Sequence, residues 1–168
     1  MPVQRLNHAV LYIRDVDRSV AFYTQALGFR VVMAIPGQAA FLQAEGSTND
    51  HDLGLFAIGA GAGDSPAGRS TVGLYHLAWE VDTLAELQRI RGLLTEHGAL
   101  VGASDHGSTK ALYAKDPDGI EFEVSWLVPA ALLDPQQQVG TSPLRLEQEI
   151  ERYGAETRGG IGVSVPTA

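Results

Sequence analysis

A weak internal repeat constrains this chain more than any other feature. Leu6-Asn7-His8-Ala9-Val10 is answered by Leu74-Tyr75-His76-Leu77-Ala78, an offset of 68 residues. Each copy opens a strand-like run. Each is followed by a helix-like run near an aspartate, DVDRSVAFY from Asp15 and DTLAEL from Asp82. Each helix is expected to end at a glycine, Gly28 or Gly98, because glycine accepts the left-handed conformation that closes a helix. Val20, Tyr23, Ala26 and Leu27 have helical spacing in the first half, as do Leu84, Leu87, Ile90 and Leu94 in the second. Short strand patterns follow each helix: FRVVMAI, AFLQAE and DLGLFAI, then ALVGAS, KALYAKD and IEFEVSW. Both halves read β-α-β-β-β. The expected fold is α+β, with paired βαβββ modules forming a curved sheet.

The boundaries follow from the pattern. Residues 1–58 make the first module and residues 72–128 the second. Between them, GAGAGDSPAGRST at 59–71 has little to bury and reads as a linker or a lid. Residues 129–168 form a C-terminal extension, with an extended Pro/Gln-rich stretch over 129–143. SPLRLEQEIERYG then reads as a short amphipathic helix with Pro143 near its first turn and Gly154 at its end. Leu146, Ile150 and Tyr153 line one stripe of that helix, which is too short to stand alone in water and must dock on its own sheet or on a partner chain. The last residues, TRGGIGVSVPTA, are expected to be loosely ordered.

Composition removes several classes of function. With 168 residues, 45% of them hydrophobic and 19% charged, a packed core is feasible. The formal charge is −8 and no basic cluster occurs, so nucleic-acid binding has no electrostatic support. There is no cysteine, which excludes disulfides, thiolate metal sites and cysteine nucleophiles. The N-terminal run enters a strand pattern without a signal peptide, and no apolar run is long enough to span a bilayer. The expectation is a cytoplasmic protein.

The chemistry gathers at three residues. Strand alternation puts Leu6, His8, Val10 and Tyr12 on one face, and Asn7, Ala9, Leu11 and Ile13 on the other. His76, Ala78 and Glu80 share a face opposite Leu77, Trp79 and Val81. Glu121, Glu123 and Ser125 share a face opposite Phe122, Val124 and Trp126. The apolar faces are expected to pack under the helices, leaving His8, His76 and Glu123 on the open side of the sheet, enclosing a metal site. A lone strand histidine is ordinarily a hydrogen-bonded sheet residue. Two at equivalent repeat positions, with a strand carboxylate, favour a metal. Two imidazoles and one carboxylate leave the other side of an ion open, which suits Fe(II) binding both an organic substrate and O2. His51, His106 and Tyr113 are further groups able to move protons. His97, in TEHG, reads as a helix cap.

The paired modules, the early histidine in each and the ending DPDGIEFE resemble the vicinal oxygen chelate superfamily over residues 5–128. That superfamily includes glyoxalase I, fosfomycin-resistance enzymes, epimerases, bleomycin-binding proteins and extradiol dioxygenases. The stretch DHGSTKALYAKDPDGIEFE, from Asp105 to Glu123, is similar to the signature of type I extradiol ring-cleavage dioxygenases such as catechol 2,3-dioxygenase. His106, Leu112-Tyr113, Asp116, Pro117, Gly119 and Glu123 match it, and Ser104 departs from it. His51 in NDHDLGL matches a distal-pocket histidine that opens the equivalent strand, although the stretch from His51 to His76 is longer here.

The resemblance implies His8, His76 and Glu123 as ligands of Fe(II), with Mn(II) able to replace it. It implies His51, His106 and Tyr113 as catalytic residues, a small aromatic diol and O2 as substrates, and a homo-oligomer. The alternatives are another metal-dependent enzyme of the superfamily (a lyase, an isomerase or a thiol transferase) or a drug-binding resistance protein. A lyase would need the metal ligands but not His51 together with His106.

Overall fold

The computed structural model describes residues 2, 3, 5–68, 70–134, 140–160, 163 and 164. Arg69 of the Gly-rich loop, residues 135–139 of the connector, and 161, 162 and 165–168 of the tail lie outside the described residues. The chain divides into two compact units. The first comprises residues 1–66 with the turn Asp116–Gly119, and the second comprises residues 67–115 and 120–168.

The first unit runs β1 (Ala9–Ile13), α1 (Val16–Leu27), β2 (Arg30–Ile35), β3 (Ala39–Gln43) and β4 (Leu53–Ala57). Its sheet has the order β1-β4-β3-β2, with β1 and β4 parallel and the other pairs antiparallel. Asp15 caps α1 by accepting the Arg18 N–H, and Gly28 closes the helix at φ 72°. The buried stripe of α1 is Val16, Ser19, Phe22, Tyr23 and Ala26. It is rotated from the expected one, since Val20 and Leu27 are only half-buried. Leu11, Ile13, Leu53 and Leu55 complete this core.

The DPDG turn is a polar hub of the same unit. The Gly119 N–H donates to the Asp116 carbonyl, and Gly119 takes φ 82°. Tyr23 Oη donates to Asp116 Oδ2 at 3.1 Å. Asp118 Oδ1 accepts from Arg14 Nη1 at 3.0 Å and from Arg18 Nη2 at 2.7 Å. Burial works against the Asp118 charge, but the Arg14 and Arg18 hydrogen bonds outweigh it and hold its carboxyl below the usual range. Arg14 also reaches the Ala62 carbonyl and the Asp64 carboxylate, which tethers the first half of the Gly-rich loop.

The second unit repeats the plan with β5 (Leu77–Val81), α2 (Leu84–Glu96), β6 (Leu100–Asp105), β7 (Thr109–Lys115) and β8 (Glu121–Leu127). Its sheet has the order β5-β8-β7-β6-β9, where β9 is the short strand Ser142–Pro143. Thr83 caps α2, and Leu84, Leu87, Ile90 and Leu94 are buried as expected. His97 is the C-cap residue and Gly98 follows at φ 64°. Phe122, Val124 and Trp126 are buried, whereas Leu77 and Trp79 are half-buried.

The C-terminal extension corrects two expectations. Pro143 does not open a helix. It pairs with Ser104 at the sheet edge, where a residue without an N–H is tolerated. The helix α3 (Leu146–Tyr153) starts three residues later, packs on α2 and buries Leu146. Residues 157–160 are not loose either. The Trp126 indole donates to the Thr157 carbonyl at 3.1 Å, and the Gly159 N–H donates to the Asp82 carbonyl at 2.8 Å. A Cβ at Gly159 would strike the Leu127 carbonyl, and one at Gly160 the Glu80 carboxylate. Gly159 is needed for this close approach and Gly160 for its φ of 84°, a signal hidden in an apparently featureless tail. No helix of the described residues is long and apolar enough to cross a membrane.

Candidate active site and metal ligands

In the first unit His8 immediately precedes β1 and so stands at the strand's entrance, one residue outside the expected position. Alternation is kept: Leu11 and Ile13 are buried, while Val10 and Tyr12 are exposed. The His8 Nδ1 lies 2.7 Å from Asn7 Oδ1. An amide oxygen can only accept, so Nδ1 carries the proton and Nε2 keeps a free lone pair, the form that binds a metal.

The His51 ring stacks at a tilt against His8, centroids 4.4 Å apart, and meets Phe41 edge-on at 5.2 Å. Its Nδ1 lies 3.1 Å from Asp50 Oδ2. The Asp50 carboxyl is held below its ordinary range, chiefly by the His51 backbone N–H. The loop that carries His51 is cross-tied: Asn49 Nδ2 donates to the Asn7 carbonyl and to Asp52 Oδ1, and Asp52 also accepts from Ser47 and the Ala44 N–H. His51 is therefore a placed residue with a 16% exposed side chain, not a solvated loop residue. Val10 pairs with Gly54, and Gly54 with Phe41. A Cβ at Gly54 would come into ordinary van der Waals contact with Val10 and Phe56, which flank it on this face. Phe41 and Phe56 meet edge-on at 5.6 Å.

In the second unit His76 likewise stands just before its strand, β5. Ladder pairing places Ala78 beside Glu123, and Glu123 beside Tyr113. The His76 Nε2 lies 3.2 Å from Glu123 Oε2, with the two side chains 23% and 12% exposed. Two donors in neighbouring positions of an octahedral ion, with bonds of about 2.1 Å, stand about 3.0 Å apart. The pair therefore has the spacing of two ligands of one ion. The buried His76 Nδ1 has no hydrogen-bond partner. Among the described residues no three His, Asp or Glu side chains gather closely enough to cage an ion by themselves. The chain offers the His76–Glu123 pair in one unit and a ligand-competent His8 in the other.

Tyr113 continues the second group. Its ring meets His76 edge-on at 5.7 Å, and its hydroxyl lies 2.9 Å from His106 Nε2. Burial, then the charge and hydrogen bond of Glu123, push the phenol up to about 12. The phenol is thus neutral across the ordinary pH range. His106 follows β6 and is placed by its own N–H donating to the Thr109 carbonyl. The structure brings His8 and His51 together in one unit, and His76, Glu123, Tyr113 and His106 together in the other. Sequence reasoning missed Asn7, whose adjacency to His8 was a usable signal. It also missed Thr141, whose Oγ1 lies 3.1 Å from His106 Nδ1. Nothing in a Pro/Gln-rich connector announces that contact.

Comparison with known proteins shows the family and the fold. The family model described as Glyoxalase/Bleomycin resistance protein/Dioxygenase superfamily matches residues 5–124. The chain is 36% identical over 119 residues to a catechol-2,3-dioxygenase of Bacillus subtilis, covering 71% of this chain and 40% of that protein. It therefore spans less than half the length of that relative. It is 30% identical over 130 residues to a lactoylglutathione lyase of Salmonella typhimurium, covering 71% of this chain and 90% of the lyase. A solved structure, a glyoxylase/bleomycin resistance protein/dioxygenase domain from Frankia, shares the fold with a TM-score of 0.64 at 22% identity, covering 76% of this chain and 94% of that one. By its sequence match and its repeated βαβββ units, the chain belongs to the glyoxalase/bleomycin resistance protein/dioxygenase superfamily.

Proposed function

We propose that the protein is an Fe(II)-dependent extradiol dioxygenase that opens the ring of a catechol-type aromatic with O2, with His8, His76 and Glu123 as the metal ligands. The observation that carries this reading is the Tyr113 phenol, held between His106 and the Glu123 carboxylate. A lyase needs the ligands but has no evident use for a neutral acid and an imidazole side by side. A bound ferrous ion supplies what the side chains lack: it acidifies a coordinated hydroxyl and passes electrons between the diol and O2, and Mn(II) suits the same donors.

The chain's own groups then handle substrate and protons. The face beside His8 and His51, with Val10, Phe41 and Phe56, suits a flat apolar ring. His51 gives its Nδ1 proton to Asp50 and keeps Nε2 as the atom that takes up and returns a proton at oxygen. Tyr113, neutral at physiological pH, donates to a substrate oxygen and does not act as a base. His106 supports that donor and supplies the next proton.

The similarity to the catechol-2,3-dioxygenase supports this reading. The lyase match, which covers 90% of that relative, favours a second one: a metal-dependent lyase acting on a glutathione conjugate. Anaerobic loading with Fe(II), then addition of air and a panel of catechols, separates them. The dioxygenase reading expects oxygen uptake matched by a yellow ring-opened product. Turnover of a glutathione conjugate, with no oxygen uptake on any catechol, would establish the lyase instead. We also propose a homo-oligomer, on the family resemblance alone.

A further inference from the structure

His8 and His51 stand just beyond the last rung of the β1–β4 ladder. That ladder runs parallel from Ala9–Leu53 onward, and its outermost backbone bond joins the Ala9 N–H to the Asp52 carbonyl at 2.9 Å. A regular continuation would send the Asp52 N–H to the Asn7 carbonyl. That N–H turns instead to the Leu42 carbonyl, at 2.8 Å. Backbone pairing therefore ends on one side of His8, and the Asn7 carbonyl on its other side is left to a side chain. Asn49 Nδ2 takes it, at 2.6 Å.

A carbonyl oxygen can only accept, so the amide nitrogen of Asn49 must face Asn7. The same nitrogen also donates to Asp52 Oδ1 at 2.7 Å. Asn49 Oδ1 is buried and has no hydrogen-bond partner among the described residues, so the amide is held through its nitrogen alone. The Asn49 backbone is braced as well. Its N–H donates to Ser47 Oγ at 3.1 Å, and its carbonyl accepts from Gln43 Nε2. Gln43 is buried in β3 and itself accepts from Arg30. A braced amide thereby joins the backbone before His8 to the loop that carries His51, and the two rings lie 4.4 Å apart. We propose that Asn49 is a positioning residue whose amide replaces the missing rung and holds His8 and His51 against each other. Its weight for function rests on the reading of His8 as a metal ligand and of His51 as a group that moves protons.

The test uses the full chain, metal-free, with 13C-labelled histidine and leucine. In the wild type the His8 and His51 ring protons are expected to show a nuclear Overhauser contact, assigned through His8→Gln and His51→Gln. Asn49→Asp keeps the size and replaces the donor with an oxygen. Asn49→Ala removes the amide without setting a second carboxylate beside Asp52. Each should abolish the ring contact while the contact between Leu11 and Leu55, paired within the ladder, persists. Arg5→Ala removes an exposed bond to Thr48 of the same loop and should leave both contacts intact. Anaerobic Fe(II) titration should show about 10–100-fold weaker binding in the Asn49 variants, the usual effect of removing a group that orients a ligand. No ring contact in the wild type, or an unaltered ring contact or Fe(II) affinity in a folded Asn49 variant, would overturn the proposal. So would loss of the Leu11–Leu55 contact as well, or failure of both variants to fold, since Asn49 would then serve the fold alone. If the wild type binds no Fe(II), the ligand reading fails, and the ring contacts still decide whether Asn49 positions the two histidines.

Discussion

At the scale of single residues, the account assigns distinct work to side chains that look alike in sequence. His8 and His51 touch each other, yet their partners differ. Asn7 can only accept from His8, which frees Nε2 for a metal. Asp50 is an exposed carboxylate whose Oδ2 lies 3.1 Å from His51 Nδ1, which orients the His51 ring. Metal analysis should therefore separate them. His76→Ala and Glu123→Ala are expected to lose the bound ion. His51→Ala is expected to keep it and to lose about 10²–10⁴-fold in turnover, the usual contribution of a general acid or base. Full metal content in His76→Ala would remove that residue from the site.

Tyr113 gives a pH signature for the metal-free protein. Below about pH 10, the ordinary tyrosine value, both folded and unfolded chains keep the phenol proton. Between there and about 12 the unfolded chain releases it while the folded one retains it, so stability falls as pH rises. Tyr113→Phe should shallow that alkaline slope in unfolding titrations. Tyr23, whose phenol burial and Asp116 also raise, keeps its own share.

At the scale of elements, the two helices and eight principal strands were legible because each obeys a local rule. Asp15 and Thr83 cap, Gly28 and Gly98 stop, and the strands alternate. The phase of the α1 stripe was misread because Ser19 takes a core position that hydrophobicity does not mark. It is buried on the unit's polar hub, its hydroxyl 3.5 Å from Asp118. The DPDG turn was legible as a turn, but its ion pairs to α1 were not, since they join residues about 100 positions apart. That hub has a measurable weight. Asp118→Ala should cost about 1.5–3 kcal/mol, the range for hydrogen bonds to a charged group. The Asp118 carboxyl is lowered in the folded state, so its contribution is present above the ordinary aspartate range and is lost as pH falls through the lowered value. The variant should accordingly show a flatter acid limb in urea titrations run at a series of pH values.

At the scale of the whole molecule, the sequence carried the repeated plan and the superfamily but concealed the extension. Low-complexity residues around 129–143 and the glycines of the tail carry no periodicity. Their structure comes from edge pairing and from gaps that only glycine fits. Helix α3 uses its apolar stripe on its own unit, with Arg91 paired to Glu147 and Leu146 buried. Truncation after Val128 would strip Glu149 from the buried Lys110 and Thr157 from the Trp126 indole. The truncated chain is expected to unfold at lower temperature. Light scattering should show the assembly size unchanged wherever the shortened chain remains folded, because the docked helix is not available to a partner.

The central claim is that the site joins both atoms of O2 to an aromatic ring. It is tested most directly by supplying 18O2 to the iron-loaded protein with a catechol that it consumes, and weighing the product. The account predicts a ring-opened product carrying two labelled oxygen atoms, formed in step with oxygen uptake and absent in His76→Ala. A product without label, or one made equally well under nitrogen, would contradict it.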